Sequence, residues 1–89
     1  MKMNKKPIID VRTPEEFSAG HASGSLNIPL HEIILRVDEI KQLSQPVILC
    51  CASGNRSTQA ELLLRKKGID CINAGSWTDV DLFIEATGR

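Results

Sequence analysis

Val47 to Cys50 is an unbroken apolar run, with Pro46 before it and Gly54 soon after it. It leads through Cys51-Ala-Ser-Gly54-Asn-Arg56 into a segment where Ala60, Leu63 and Leu64 recur at helical spacing. Such a run suits a central parallel strand covered on both faces. Periodicity alone leaves a buried helical piece as the alternative, and the flanking Pro46 and Gly54 favour the strand. A strand that turns directly into a helix places Cys51 where turn N–H groups converge and the positive end of the helix favours negative charge. A thiol there is positioned to act as a nucleophile.

The rest of the chain repeats the alternation. Pro7-Ile-Ile-Asp-Val11 is a short apolar run, followed by Thr13-Pro14-Glu15-Glu16, which reads as a capping box with Pro at the first helical position. Gly20 ends that helix, and Leu26-Asn-Ile28 before Pro29 reads as a brief second strand. Leu30, Ile33, Ile34, Val37 and Ile40 recur at helical spacing, predicting one helix with one buried face that Gln45-Pro46 ends. After the helix carrying Ala60, Leu63 and Leu64, Gly68 is the stop and Ile69 to Asn73 the last strand. Ser76 caps a final helix with Trp77, Val80, Phe83 and Ile84 facing inward. One local signal competes: Thr58-Gln-Ala-Glu61 is itself a capping-box pattern and would start the third helix two residues later. The expected architecture is α/β, a small parallel sheet with helices on both faces, in one domain over residues 1–89 with its core at about 7–86. Ligands of such sheets bind beyond the carboxyl ends of strands, where Cys51 stands.

A chain of 89 residues leaves no room for a second catalytic domain. Lys+Arg and Asp+Glu both number 11, and aromatics are 3% with no Tyr. That composition offers no basic face and little base-stacking surface, so nucleic acid is not an expected partner. The basic cluster Arg65-Lys66-Lys67 reads as a solvated helix terminus complementing the helix dipole. No apolar stretch approaches a membrane span, and Met1 to Lys6 leads into Pro7 without the apolar core of a signal peptide. No membrane association is expected and the chain reads as cytoplasmic; a periplasmic place would follow only if a leader had been removed. Three cysteines with no Cys-x-x-Cys and no His at metal-ligand spacing suggest reduced thiols, no disulfide framework and no metal site. No exposed apolar stripe calls for a partner, so a monomer is expected.

Taken together, three stretches resemble the rhodanese homology domain in its single-domain form: Asp10-Val-Arg12-Thr-Pro-Glu-Glu-Phe17, Gly20-His21-Ala-Ser-Gly24-Ser-Leu-Asn-Ile28-Pro29 and Cys51-Ala-Ser-Gly54-Asn-Arg56-Ser57. A weaker match, Asn73-Ala-Gly75-Ser-Trp77, follows the last strand. The resemblance implies a sulfurtransferase needing no cofactor. A cysteine takes sulfane sulfur from a donor such as thiosulfate, holds it as a persulfide and passes it to cyanide or another thiophilic acceptor. Carried over, Cys51 is the nucleophile and persulfide carrier, Ala52, Ser53, Gly54, Asn55 and Arg56 form the active-site loop, and Ser57 stands at the helix start. The chain departs from the family at Ala22-Ser23, where Ile-Pro is frequent, at Ala52, where many members carry Arg or Lys, and at Ser76, where a second glycine is usual. Four residues separate Cys51 from Arg56. The related phosphatases and arsenate reductases have five, a ring wide enough for a tetrahedral oxyanion, so the shorter loop suits a single sulfur atom.

The chemistry requires thiolate, which the helix N-terminus favours by roughly 0.3–2 kcal/mol, with loop N–H groups and Arg56 adding to it. The same donors would hold an anionic persulfide, and Gly54 permits a positive φ and close backbone approach to the sulfur. Cys50 points to the opposite face and reads as core. Cys71 reads as core filler, with a resolving thiol as the alternative. Asp10 and Arg12 read as a hydrogen-bonded pair that fixes the loops, ahead of direct substrate contact. His21 reads as a structural hydrogen-bonding group and Trp77 as a core or rim residue. Asn55 either takes a left-handed backbone or donates its amide to the persulfide. Arg56 faces either the ligand or a carboxylate such as Asp10 or Glu61. The neutral Ala52 keeps a second function open: a persulfide-carrier or redox-sensing module that receives sulfur from a partner protein.

Overall fold

A computed structural model describes residues 6–87. Its four strands are β1 (Ile8–Asp10), β2 (Leu26–Asn27), β3 (Val47–Cys51) and β4 (Cys71–Ser76). All pair in parallel, in the order β2-β1-β3-β4. The helices are α1 (Pro14–Ala19), α2 (Leu30–Ile33), α3 (Val37–Lys41), α4 (Asn55–Lys66) and α5 (Trp77–Thr87), with a 3₁₀ turn at Ile34–Arg36 between α2 and α3. The chain leaves β1 toward one edge of the sheet and leaves β3 toward the other, so a crevice opens between their carboxyl ends. Asp10 pairs with Cys50. Strand β3 therefore runs one residue beyond the end of β1, which carries Cys51 past that level.

Alternation along the strands divides the core into two layers. Ile9, Val11, Val47, Leu49 and Cys51 face Ile33, Ile40, Ala60 and Leu64 from α2, α3 and α4. Ile8, Ile48 and Cys50 face the other way, against Val80, Trp77 and Ile84 of α5. Helices thus cover both faces of a parallel sheet. No described helix is long and apolar enough to cross a membrane.

The capping box of α1 forms with Thr13 as cap and Glu16 as its reciprocal partner. Elsewhere the elements differ from the sequence reading in four places. The helix expected from Leu30 to Ile40 is interrupted by the 3₁₀ turn, and Arg36 leaves helical geometry at φ −116°, ψ 24°. The tighter winding rotates Ile33 and Ile40 inward but leaves Ile34 45% exposed. The last strand begins at Cys71, because Ile69 is consumed by the end of α4. Its N–H bonds Leu64 O and that of Gly68 bonds Arg65 O, both at 3.0 Å, with Ile69 and Leu64 buried together as in a Schellman motif. α4 begins at Asn55, before both expected starts, with Gly54 as its N-cap. Finally, Phe83 lies 63% exposed and only Trp77, Val80 and Ile84 of the α5 quartet pack inward.

Candidate active site

Strand β3 delivers Cys51 to the crevice and α4 begins four residues later, so the loop must reverse direction within a single turn. Gly54 makes that reversal at φ +102°, a backbone that other residues rarely adopt. Its N–H then donates to Cys51 Sγ at 2.9 Å, and the Ser57 N–H, in the first turn of α4, donates at 3.4 Å. Cys51 is 1% exposed, whereas Ala52, Ser53 and Asn55 lie open to solvent above it. Burial raises the thiol pKa, but hydrogen bonds from the Ser57 hydroxyl and the Ser57, Gly54 and Ser53 amides outweigh it, and the net shift is downward. The hydroxyl is the weaker of these supports. Ser57 Oγ has one proton and stands 3.5 Å from Sγ but 2.7 Å from Asn73 Oδ1. The Gly54 and Ser57 amides, whose N–H groups point at the sulfur, are the firmer donors.

Asn73 organises this underside. Its Oδ1 accepts from Ser57 Oγ and from the Gly75 N–H at 3.0 Å, while its Nδ2 donates to Thr58 Oγ1 at 2.8 Å. A bulge makes this possible: Leu49 pairs with Asn73 but Cys51 pairs with Ser76, which leaves an extra residue in β4. Gly75, at φ +83°, supplies the backbone that the bulge needs. Thr58 spends its hydroxyl on Gly54 O at 2.7 Å, so the Thr58-Gln-Ala-Glu61 pattern does not act as a cap.

Arg56 turns to neither carboxylate expected from sequence. Its guanidinium forms two bonds to Glu16 of α1, at 2.7 and 3.0 Å. Glu61 is instead paired with Arg65 at 3.2 Å, and Asp10 with Arg12 at 2.8 Å. Glu16 Oε1 also accepts from the Thr13 N–H at 2.9 Å, so the capping box holds the carboxylate from behind. The Arg56 bond, then the Thr13 amide, hold the Glu16 carboxyl far below its ordinary range, at about 2. Asn55, as the first residue of α4, has ordinary right-handed backbone; every positive φ among the described residues belongs to glycine.

Asp10 and Arg12 meet as a buried pair. Asp10 Oδ1 accepts from the Arg12 N–H at 3.0 Å and Oδ2 from Nη2 at 2.8 Å, while Nη2 also donates to Gly20 O at 2.6 Å. The guanidinium lies 4.8 Å from the Trp77 ring centroid. Both side chains sit on the α5 face with Cys50, away from the sulfur of Cys51. There burial, with the Asp10 charge second, pushes the Cys50 thiol up to about 12. Cys71 pairs in register with Val47, four residues from Cys51, or roughly 13 Å along the sheet. A resolving role for it is therefore excluded by distance. His21 bonds Phe17 O through Nδ1 at 2.7 Å and stacks on the Phe17 ring. Among the described residues no cluster of His, Cys, Asp and Glu is arranged to hold a metal ion.

Two residues of this site had no role in the sequence reading. In the sequence Glu16 is explained by its cap alone, and Asn73 belongs to the weak Asn73-Ala-Gly75 motif with no task that local spacing shows. The motif's Gly75 was the one available signal for a bulge beside the loop.

A family model described as the rhodanese-like domain matches residues 1–81. The chain is 35% identical over 74 residues to thiosulfate sulfurtransferase PspE of Escherichia coli (strain K12), covering 81% of this chain and 71% of that one. It is 45% identical over 64 residues to the uncharacterized protein YqhL of Bacillus subtilis (strain 168), covering 72% of this chain and half, 50%, of that relative's length. Among solved structures, a rhodanese with anions from E. coli superposes with a TM-score of 0.76 at 34% identity, covering 84% of this chain and 91% of that one.

Proposed function

Because this chain belongs to the rhodanese-like domain family, a family of sulfurtransferases, we propose that Cys51 carries sulfane sulfur between a small donor and a thiophilic acceptor. The thiolate attacks the outer sulfur of a donor such as thiosulfate. A new S–S bond forms at Cys51, the old one breaks, and sulfite leaves with its electron pair. Cyanide or a thiolate then attacks the outer sulfur of the persulfide and returns Cys51 as thiolate. One cradle serves both halves, because the Gly54 and Ser57 amides meet a negative sulfur before and after loading.

The observation that carries this reading is the pair of amide donors on Cys51 Sγ, at 2.9 and 3.4 Å, inside a loop that ends at the start of α4. The test is to incubate the protein with thiosulfate and take its mass. Addition of one sulfur atom, abolished in Cys51→Ala and retained in Cys50→Ala and Cys71→Ala, is the expected result. No added sulfur, or sulfur that survives Cys51→Ala, would remove the proposal.

A second reading, a carrier loaded by a partner protein's persulfide, is favoured by one observation: the loop's only cationic side chain, Arg56, is already paired with Glu16. In that case a protein persulfide would load Cys51 quickly while thiosulfate:cyanide turnover stays poor.

A further inference from the structure

The loop from Cys51 to Ser57 contains one cation, Arg56, and its charge is committed elsewhere. Both terminal nitrogens of the guanidinium bond the two carboxylate oxygens of Glu16, the bidentate geometry in which such pairs are strongest. Glu16 is held in turn by Thr13, whose N–H and hydroxyl donate to Oε1 at 2.9 and 3.2 Å. Gly54 and Ser57 direct their amides at the sulfur; the Arg56 side chain does not join them. A donor entering over Ala52, Ser53 and Asn55 therefore meets uncharged side chains, the ends of backbone dipoles and a thiolate. Thiosulfate brings two negative charges to that thiolate. A small persulfide with an uncharged body brings at most one.

We infer that Glu16 is a specificity-determining residue: by pairing with Arg56 it turns the loop toward persulfide donors of low charge and away from the thiosulfate dianion. The inference rests on sulfur transfer through Cys51. In the favoured reaction the Cys51 thiolate attacks the outer sulfur of R–S–SH. The bond between the donor's two sulfurs breaks, R–S⁻ leaves with the electron pair and takes the proton as R–SH, and Cys51 retains the outer sulfur as an anionic persulfide. Sulfur and charge balance without an added oxidant or reductant.

The test compares loading of Cys51 by thiosulfate and by 2-hydroxyethyl persulfide, read by mass over time, in the full chain and in Glu16→Gln. Gln preserves the capping acceptor for Thr13 while removing the charge that neutralises Arg56. The ratio of loading rates should shift toward thiosulfate by about three- to tenfold, carried in KM rather than kcat, and should shrink at high salt. In the double variant Glu16→Gln/Arg56→Gln the shift should vanish, since no released cation remains. As a measurement that needs no variant, thiosulfate loading of the unsubstituted protein should hold level or rise with ionic strength, because screening relieves repulsion between dianion and thiolate. An unchanged donor ratio in Glu16→Gln, a shift that persists without Arg56, or a fall in thiosulfate loading with salt would each overturn the inference while leaving sulfur transfer intact. Failure of both donors to load Cys51 would remove sulfur transfer itself, and the inference with it.

Discussion

At Cys51 burial and hydrogen bonding act on the thiol in opposite directions. The sulfur is buried, which by itself would suppress ionisation, yet hydrogen bonds from the Ser57 hydroxyl and the Ser57, Gly54 and Ser53 amides reverse the balance. Its neighbour Cys50, one peptide away on the other face, has no such donors and is pushed up to about 12. Alkylation by iodoacetamide at neutral pH should therefore modify Cys51 first, with a rate that reaches its plateau at a lower pH than that of an ordinary thiol. Because the folded-state pKa is lowered, the thiolate's contribution to stability is present above the unfolded value and is lost as pH falls through the folded one. Cys50 should stay unmodified until the protein unfolds, which peptide mapping can check. Gly54→Ala would force a side chain into φ +102°, at a cost of about 1–3 kcal/mol in denaturant unfolding. It should also slow alkylation of Cys51 as the closest amide moves. These two residues were legible in the sequence, since a cysteine after an apolar run and a glycine before a helix are local signals. The partner of Arg56 was not, because Glu16 lies forty positions away.

Among elements, α4 is held at its first turn from two sides. From β4, Asn73 takes the Ser57 hydroxyl and the Gly75 amide and reaches Thr58. Removing these bonds in Asn73→Ala leaves part-buried groups unpaired and should cost about 1–3 kcal/mol by chemical denaturation. From α1, Glu16 holds Arg56. The Glu16 carboxyl is lowered from 4.5 to about 2, so the stability it contributes is complete above the unfolded value and is lost as pH falls toward the folded one. Thermal unfolding followed from about pH 5 down to about 2 should decline less steeply in Glu16→Gln than in the unsubstituted protein. Helix periodicity foretold α4 and its inner face, and the capping box foretold α1. The break between α2 and α3 escaped it, because apolar spacing does not register the tighter winding over Ile34–Arg36. The late start of β4 escaped it as well, because the turn that closes α4 uses Ile69.

Across the whole molecule, the Asp10–Arg12 pair joins parts that no single element connects. It ties the end of β1 to Gly20 after α1 and, through Trp77, to the start of α5. Both side chains are buried, so removal of one charge strands the other. Asp10→Asn should destabilise by about 3–5 kcal/mol, whereas Leu35→Lys, at a side chain 79% exposed, should stay within about 0.5 kcal/mol. Equilibrium unfolding in urea distinguishes the two. The pair lies on the α5 face of the sheet, with Cys50 and opposite the sulfur of Cys51.

The linear chain specified what depends on neighbours a few positions apart: strand and helix alternation, the α1 cap, and a thiol at a strand's carboxyl end next to a helix start. Such features arise from backbone geometry and apolar periodicity, which act over one or two turns. Tertiary structure alone decided which carboxylate would hold Arg56, which acceptor would take the Ser57 hydroxyl, and that Ile34 and Phe83 would face solvent. Each of those outcomes depends on which distant segments the strand order brings together, and charges and hydrogen-bonding groups pair with whatever the fold places within reach.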